Sequence, residues 1–291
     1  MVSGNSFLDS LAVHTRIRLA PMLTLRALPK RQVLAASGAA VSDVCFPLRS
    51  VISTVTQMLE GATVEVGLSG HEGFSPLSVA FGDLIGRHTT VVQVGDSAYC
   101  MDAAAFLTEL ESDPDLKRRT QLFAEYSFAA ATQFAACNGL HPVEERYARW
   151  ILMVDDRVGA DFSLTQEYSA QMLGVRRASV TTVARGMADV GLIAYHRGHV
   201  SVRDRAGLEE MACECYAAVN GDLLRLMGYG ARQAPVAAPP PPAERVADPL
   251  IGYLTNSAGV AALNETIARN VRCRADMGRS RALSLGGRPG S

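Results

Sequence analysis

The chain has no surplus of charge of either sign: 28 Lys and Arg stand against 29 Asp and Glu, a formal net charge of −1 over 291 residues. That balance excludes the coating of a polyanion through bulk electrostatics, so any contact with nucleic acid has to come from a local basic surface. No apolar run reaches the roughly 20 residues a membrane span needs. The N-terminus lacks the basic segment, apolar core and cleavage site of an export signal. Only six cysteines are scattered along the chain, which points to packed thiols in a reduced, cytoplasmic compartment rather than a disulfide framework. Cys213 and Cys215 are placed on one predicted helix, Ala206 to Met227, about 200° apart, so they are not expected to share a metal. Cofactor and metal are both expected to be none, and a lone His71 or His141 is read as a hydrogen-bonded or surface residue rather than a haem ligand.

Enzyme signatures are also missing. Gly67 to Gly73 (GLSGHEG) has neither the lysine and serine of a phosphate loop nor a second histidine four residues after the first. Asp155 and Asp156 are adjacent on a predicted helix and are read as solvated charge. No catalytic residue is expected, and an enzyme or a non-DNA ligand-binding protein stays only as the weaker alternative.

What is present is the stretch Leu164 to Arg185, LTQEYSAQMLGVRRASVTTVAR. Thr165 suits the cap of a helix that ends near Leu173, where Gly174 supplies the left-handed geometry of a tight exit. Ala170 is small where a second helix must cross closely, and Leu173, Val175, Val180 and Val183 fill the angle. Ser169 departs from this pattern, being polar where an aliphatic residue is usual. The second helix, about Arg176 to Val190, presents Arg176, Arg177, Ser179, Thr181, Thr182 and Arg185, all groove-reading types. Arg177 is the expected base reader, because an arginine fork spans both acceptors on a guanine edge, and Arg176 the phosphate contact. Two arginines alone would read as surface charge; the core pattern around them favours a helix-turn-helix.

Leu192 to Tyr195 and Val200 to Val202 read as two strands around the turn His196-Arg197-Gly198-His199, a wing with Arg197 at its tip. From Thr165 to Arg205 six arginines face three acids, so the basic surface is local. Upstream, Val51 to Val55, Ala62 to Leu68 and Thr89 to Val94 are β-rich runs between glycine-bearing turns, which suggests an antiparallel roll. Pro114 opens a long helix to about Asn138, ended by Gly139, whose Leu116, Phe123, Ala130, Phe134 and Cys137 are expected to form a dimer seam. A helix lying on its own sheet is the alternative. Pro142 opens another helix with Tyr147, Trp150, Ile151 and Val154 as its buried stripe.

This order of parts resembles the bacterial Crp/Fnr transcription regulators, most specifically over Cys137 to Thr181. The resemblance implies an α+β fold. An antiparallel jelly-roll sensor domain (13–112), a dimerisation helix (113–139) and a winged helix-turn-helix domain (140–229) precede a Pro/Ala-rich linker and basic tail (230–291). It implies a homodimer on a pseudo-palindromic duplex site, with room for contact with RNA polymerase. Arg177 matches the family's guanine-contacting arginine, whereas Ala178 and Thr182 replace a base-reading glutamate and arginine of the cyclic-AMP receptor. In the sensor half, Gly73-Phe74 and Arg87-His88-Thr89-Thr90 stand where cyclic-AMP binders carry Gly-Glu and Arg-Ser pairs. Phe74 cannot accept the ribose hydroxyl bond, so cyclic AMP is not the expected effector; Phe74, Arg87, His88 and Thr89 mark the candidate effector pocket. In the tail, Val260, Leu263, Ile267 and Val271 suggest one short amphipathic helix.

Overall fold

The computed structural model describes residues 3–232; the linker and tail expectations, from residue 233 onward, lie outside that range. Two short helices, α1 (Ser6–Ser10) and α2 (Val13–Leu19), precede the sheets. They lead into β1 (Thr24–Leu28), β2 (Val33–Ala35), β3 (Asp43–Pro47), β4 (Val51–Gln57), β5 (Thr63–Ser69), β6 (Thr89–Val94) and β7 (Asp96–Asp102). These form two antiparallel sheets, ordered β1-β7-β3 and β2-β6-β4-β5. The three β-rich runs legible in the sequence are β4, β5 and β6. Asn5 pins α1 to the roll: its carboxamide oxygen accepts from Leu8 N at 3.0 Å, and its Nδ2 donates to the carbonyls of Pro47 and Gly73 at 2.8 and 2.9 Å.

The interior is aromatic. Phe7 of α1, Phe46 of β3, Phe74 and Phe123 pack with ring centroids 5.0 to 6.1 Å apart, and Phe106 joins them. Gly73 is what lets the long helix approach, because a Cβ there would sit 1.8 Å from the Phe123 ring. Cys45 and Cys100, directly opposed on β3 and β7, are joined as a disulfide, so these two are not the packed thiols expected.

Two helices follow the roll: α3 (Ala103–Ser112), capped by Asp102, and α4 (Pro114–Leu140), capped by Asp113 with Pro114 in its first turn. The helix passes through Gly139 and ends one residue later, so that glycine does not stop it. The expected dimer seam is also corrected: Leu116, Phe123, Ala130, Phe134 and Cys137 are all buried within the protomer, under the roll and the last helix. An apolar repeat at heptad spacing fixes a buried face but not what buries it. The face of α4 left open carries Gln121, Glu125, Phe128, Thr132, Ala135 and Gly139, again at alternating steps of three and four, with Phe128 70% exposed.

Beyond Pro142 come α5 (Val143–Val158), β8 (Asp161–Ser163), α6 (Gln166–Leu173), α7 (Arg177–Asp189), β9 (Ile193–His196), β10 (His199–Val202), α8 (Arg205–Met211) and α9 (Cys215–Met227). The wing is a three-stranded sheet, β8-β10-β9; β8, only three residues long, carried no sequence signal. Tyr147, Trp150, Ile151 and Val154 are buried as expected, but so is every residue from Arg146 to Arg157. Asp155 and Asp156 are therefore not solvated charge: both are buried and both pair with Arg205 of α8, Asp156 at 2.6 Å. Nor is 206–227 one helix. It breaks at Ala212, which is extended, and restarts at Cys215.

Candidate nucleic-acid interface

The crossing of α6 and α7 is built from short-range chemistry. Thr165 caps α6, its hydroxyl oxygen accepting from Tyr168 N at 3.2 Å, and Gly174 ends it at φ +64°. Only glycine adopts that φ freely. At the same end Arg146 of α5 donates to the Leu173 carbonyl at 2.5 Å, satisfying an acceptor the helix leaves open. Ala170, Leu173, Val180 and Val183 are buried in the angle, and Val175 is half-buried. Ser169 is fully buried too, and its polarity is accounted for: the hydroxyl donates to the Thr165 carbonyl at 3.0 Å.

Arg176 is the N-cap of α7 and, like Arg177, Thr182 and Arg185 along the helix, is exposed, while Ser179 and Thr181 are half-buried. Thr181 Oγ1 donates to Gln166 Oε1 at 2.7 Å, tying α7 to α6. Thr182 Oγ1 donates to its own helix at Ala178 O, 3.1 Å. Arg177 is loosely paired with Glu167 at 3.7 Å, both about two-thirds exposed, a contact worth little in water and readily exchanged for another acceptor. In the wing, Arg197 and Gly198 both have positive φ, +47° and +81°, which is the two-residue turn whose twist suits a tight hairpin. The turn holds the Arg197 side chain out in solvent at the tip. Tyr195 fastens the wing by donating to Leu164 O at 2.8 Å.

Buried polar contacts connect this reading unit to the roll, and none was visible in the sequence. Arg157 of α5 and Glu72 are both wholly buried and meet at 2.7 Å, with Arg157 Nε also donating to Glu72 Oε1 at 2.9 Å. The Trp150 indole donates to Glu65 Oε1 of β5 at 2.8 Å. Burial pushes the Glu65 carboxyl up to about 7, against the opposing pull of Ser53, Trp150, Arg149 and Arg157. Lys30 donates to the carbonyl and hydroxyl of Ser163 at 2.9 and 3.0 Å; burial brings its ammonium down to about 8. A Cβ on Gly174 would lie 3.3 Å from Val64 of β5, so the helix-turn-helix turn itself abuts the roll.

The candidate effector residues divide between core and surface. Phe74 is 1% exposed, inside the ring cluster. Arg87 is exposed and pairs with Asp83 at 2.6 Å, His88 lies 3.4 Å from Thr56 Oγ1, and the Thr89 hydroxyl accepts from Ser37 N at 3.2 Å. His71 is buried between Ser6 Oγ and the Ala231 carbonyl, 3.1 and 2.7 Å away, which fits the hydrogen-bonded role expected of it. Among the described residues, those that could hold a metal are elsewhere: Cys137, His141, Cys213 and Cys215 converge at the end of α4. The spacings Cys137-x3-His141 and Cys213-x-Cys215 do not by themselves announce a site, because the helix break that joins the two pairs is marked by neither proline nor glycine.

An antiparallel roll, a long helix and a winged helix-turn-helix with an exposed arginine face together define a winged-helix DNA-binding class of fold. Residues 145–211 match the family of Crp-like helix-turn-helix domains. Solved structures extend the likeness to the whole Crp/Fnr fold. FixK2 from Bradyrhizobium japonicum is similar at a TM-score of 0.57 and 13% identity, over 66% of this chain and 98% of that one. The c-di-GMP responsive global regulator CLP from Xanthomonas campestris is similar at 0.54 and 14%, over 66% and 99%. A Crp/Fnr-family regulator from Thermus thermophilus is similar at 0.53 and 17%, over 65% and 98%. No curated protein sequence matches the chain. Among the described residues no helix is long and apolar enough to cross a membrane.

Proposed function

We propose that the chain is a cytoplasmic, sequence-specific DNA-binding transcription regulator that works as a homodimer on a pseudo-palindromic duplex. The observation that carries this reading is the exposed face of α7, where Arg176, Arg177, Thr182 and Arg185 are held by a buried crossing with α6, itself capped by Thr165 and ended by Gly174. Arg177 reads a guanine edge; Thr165, Arg176 and Arg197 hold phosphates; Ser179, Thr181, Thr182 and Arg185 shape the fit at neighbouring positions. Two copies related by a two-fold axis place two such helices one helical turn apart, and the open Phe128 face of α4 is the seam. RNA polymerase is a further partner at such sites.

The roll senses a signal other than cyclic AMP. What supports this is Phe74, whose side chain fills the core and offers no acceptor to a ribose. Arg87, His88 and Thr89 are the positions left for an anionic or polar effector.

Replacement of Arg177 by alanine tests the reading. Binding to the selected site should weaken by about 1–3 kcal/mol, roughly 5- to 150-fold, with relaxed preference at one base pair. Random duplex should lose far less. Equal loss on random and selected DNA, measured by fluorescence anisotropy at one salt concentration, would remove Arg177 as a base reader.

A further inference from the structure

We propose that Cys137, His141, Cys213 and Cys215 form a closed, tetrahedral zinc site that clips the start of α9 to the end of α4. The four ligating atoms lie within 4.8 Å of one another. Cys137 Sγ is 3.5 Å from Cys213 Sγ, and Cys215 Sγ is 3.5 Å from His141 Nδ1. Zinc bonds of about 2.3 Å to sulfur and 2.0–2.1 Å to nitrogen give tetrahedral edges of roughly 3.5–3.8 Å, so these pairs already stand at ligand spacing.

The local folding explains the convergence. Cys137 lies in the last turn of α4 and His141, four residues on, is its C-cap, with its N–H donating to the Cys137 carbonyl. Cys213 sits in the break between α8 and α9 and Cys215 opens α9, so this pair is freed from the divergence a continuous helix would impose. All three cysteines are buried, at 0%, 5% and 0% exposure. This is the environment of a structural site, with four protein ligands and no open position for substrate.

The surroundings fit a bound cation as well as the ligands do. His141 directs Nε2 to Glu214 Oε1 at 3.3 Å, leaving Nδ1 for the metal; a carboxylate on the far nitrogen is how ligating histidines are oriented. Gln133 Nε2 donates to Cys215 Sγ at 3.1 Å, a bond that strengthens when the sulfur is a thiolate. Three thiolates around Zn2+ leave one negative charge. Arg149, stacked 4.4 Å over the Phe134 ring, and Arg146 lie close enough to balance it.

The ligand set also selects among metals. Soft thiolates with one imidazole suit zinc, whereas an oxygen-preferring Mg2+ or Ca2+ finds no ligand here. Four ligating atoms this close surround a single ion; an iron-sulfur cluster spreads its cysteines around several metals. On binding, Zn2+ loses its waters and the three thiols lose their protons to solvent.

The full-length chain, purified under reducing conditions, should retain one zinc per chain by elemental analysis. After chelation and readdition, Co2+ should give the intense visible bands of tetrahedral thiolate coordination at a stoichiometry of one. Cys213→Ser and His141→Ala should each abolish those bands, and Cys45→Ser should leave them intact. Glu214→Ala should loosen the metal roughly 10-fold without removing it. Should a ligand variant fail to fold, the cobalt spectrum of the unmodified chain still decides. An octahedral cobalt spectrum, no retained metal, or iron with acid-labile sulfide would each overturn the proposal. DNA binding is measured separately, so this outcome and that of the Arg177 experiment are independent.

Discussion

Glu65 is where a change of pH should be felt most directly in the folded protein. The residue is 7% exposed, and its carboxyl accepts one bond from Trp150 at 2.8 Å and leaves Oε2 without a partner. Burial moves its pKa from 4.5 to about 7 despite Arg149 and Arg157 on α5 and Ser53 on β4. The folded protein therefore holds a proton that the unfolded chain releases. Stability is lost as pH rises from about 4.5 through about 7, and is unaffected by this group below that window. A rise from 4.5 to about 7 corresponds to roughly 3 kcal/mol. Glu65→Gln keeps an oxygen for the indole and removes the charge, so it should stabilise the fold by about 3 kcal/mol near pH 8 and by almost nothing near pH 4.5. That is a rise in Tm of roughly 6–12 °C at the higher pH. His71, also buried, is common to both proteins and cancels in the difference. Urea titrations at several pH values, followed by the emission of the chain's one tryptophan, measure this at the site itself. Equal gains at both ends of the range, or a gain only in acid, would refute the assignment.

Arg157→Met should destabilise by about 3–5 kcal/mol, because it leaves Glu72 charged and wholly buried, and adding Glu72→Gln should restore part of that in a double-mutant cycle. No recovery in the double variant would mean that Arg157 matters through packing alone. Phe128→Glu should weaken self-association at least about 100-fold, since two phenyl rings of roughly 1.5 kcal/mol or more each leave a symmetric seam. Sedimentation of the variant as an unchanged dimer would place the seam on another face.

The parts of the fold that follow from short-range rules were legible in the sequence. Thr165 as a cap, Gly174 as a left-handed exit, the Arg197-Gly198 turn and the apolar spacing around Val180 each fix their neighbours within a few residues. What was hidden depends on partners far along the chain. The heptad in α4 announced burial correctly but could not say that α9 and the roll, rather than a second copy, cover it. Asp155 and Asp156 look like surface charge until Arg205, about 50 residues on, is folded against them. Residues 206–227 read as one amphipathic helix because alanine and cysteine do not mark a break, so the convergence of Cys213 and Cys215 with Cys137 and His141 was invisible. The arginine face of α7 could be read because exposure needs no distant partner.

These long-range contacts also bear on how a signal reaches the reading face. To re-aim α7 relative to the roll, α5 has to withdraw Arg157 from Glu72 and Trp150 from Glu65, and Lys30 has to release Ser163. An unpaired buried charge costs several kcal/mol, so withdrawing Arg157 from Glu72, both wholly buried, is the costly step among these. An effector can shift such an equilibrium only by its difference in affinity for the two arrangements, and full reversal takes about 5.5 kcal/mol. An effector meeting only the exposed Arg87 side chain would have little such difference, because that contact is open to solvent and lies outside the paired set. In the proposed reading, coupling passes through groups that the core already holds: β5 with the turn after it sets Val64, Glu65 and Glu72 against α5 and the end of α6, the helices on which α7 with Arg177 rests.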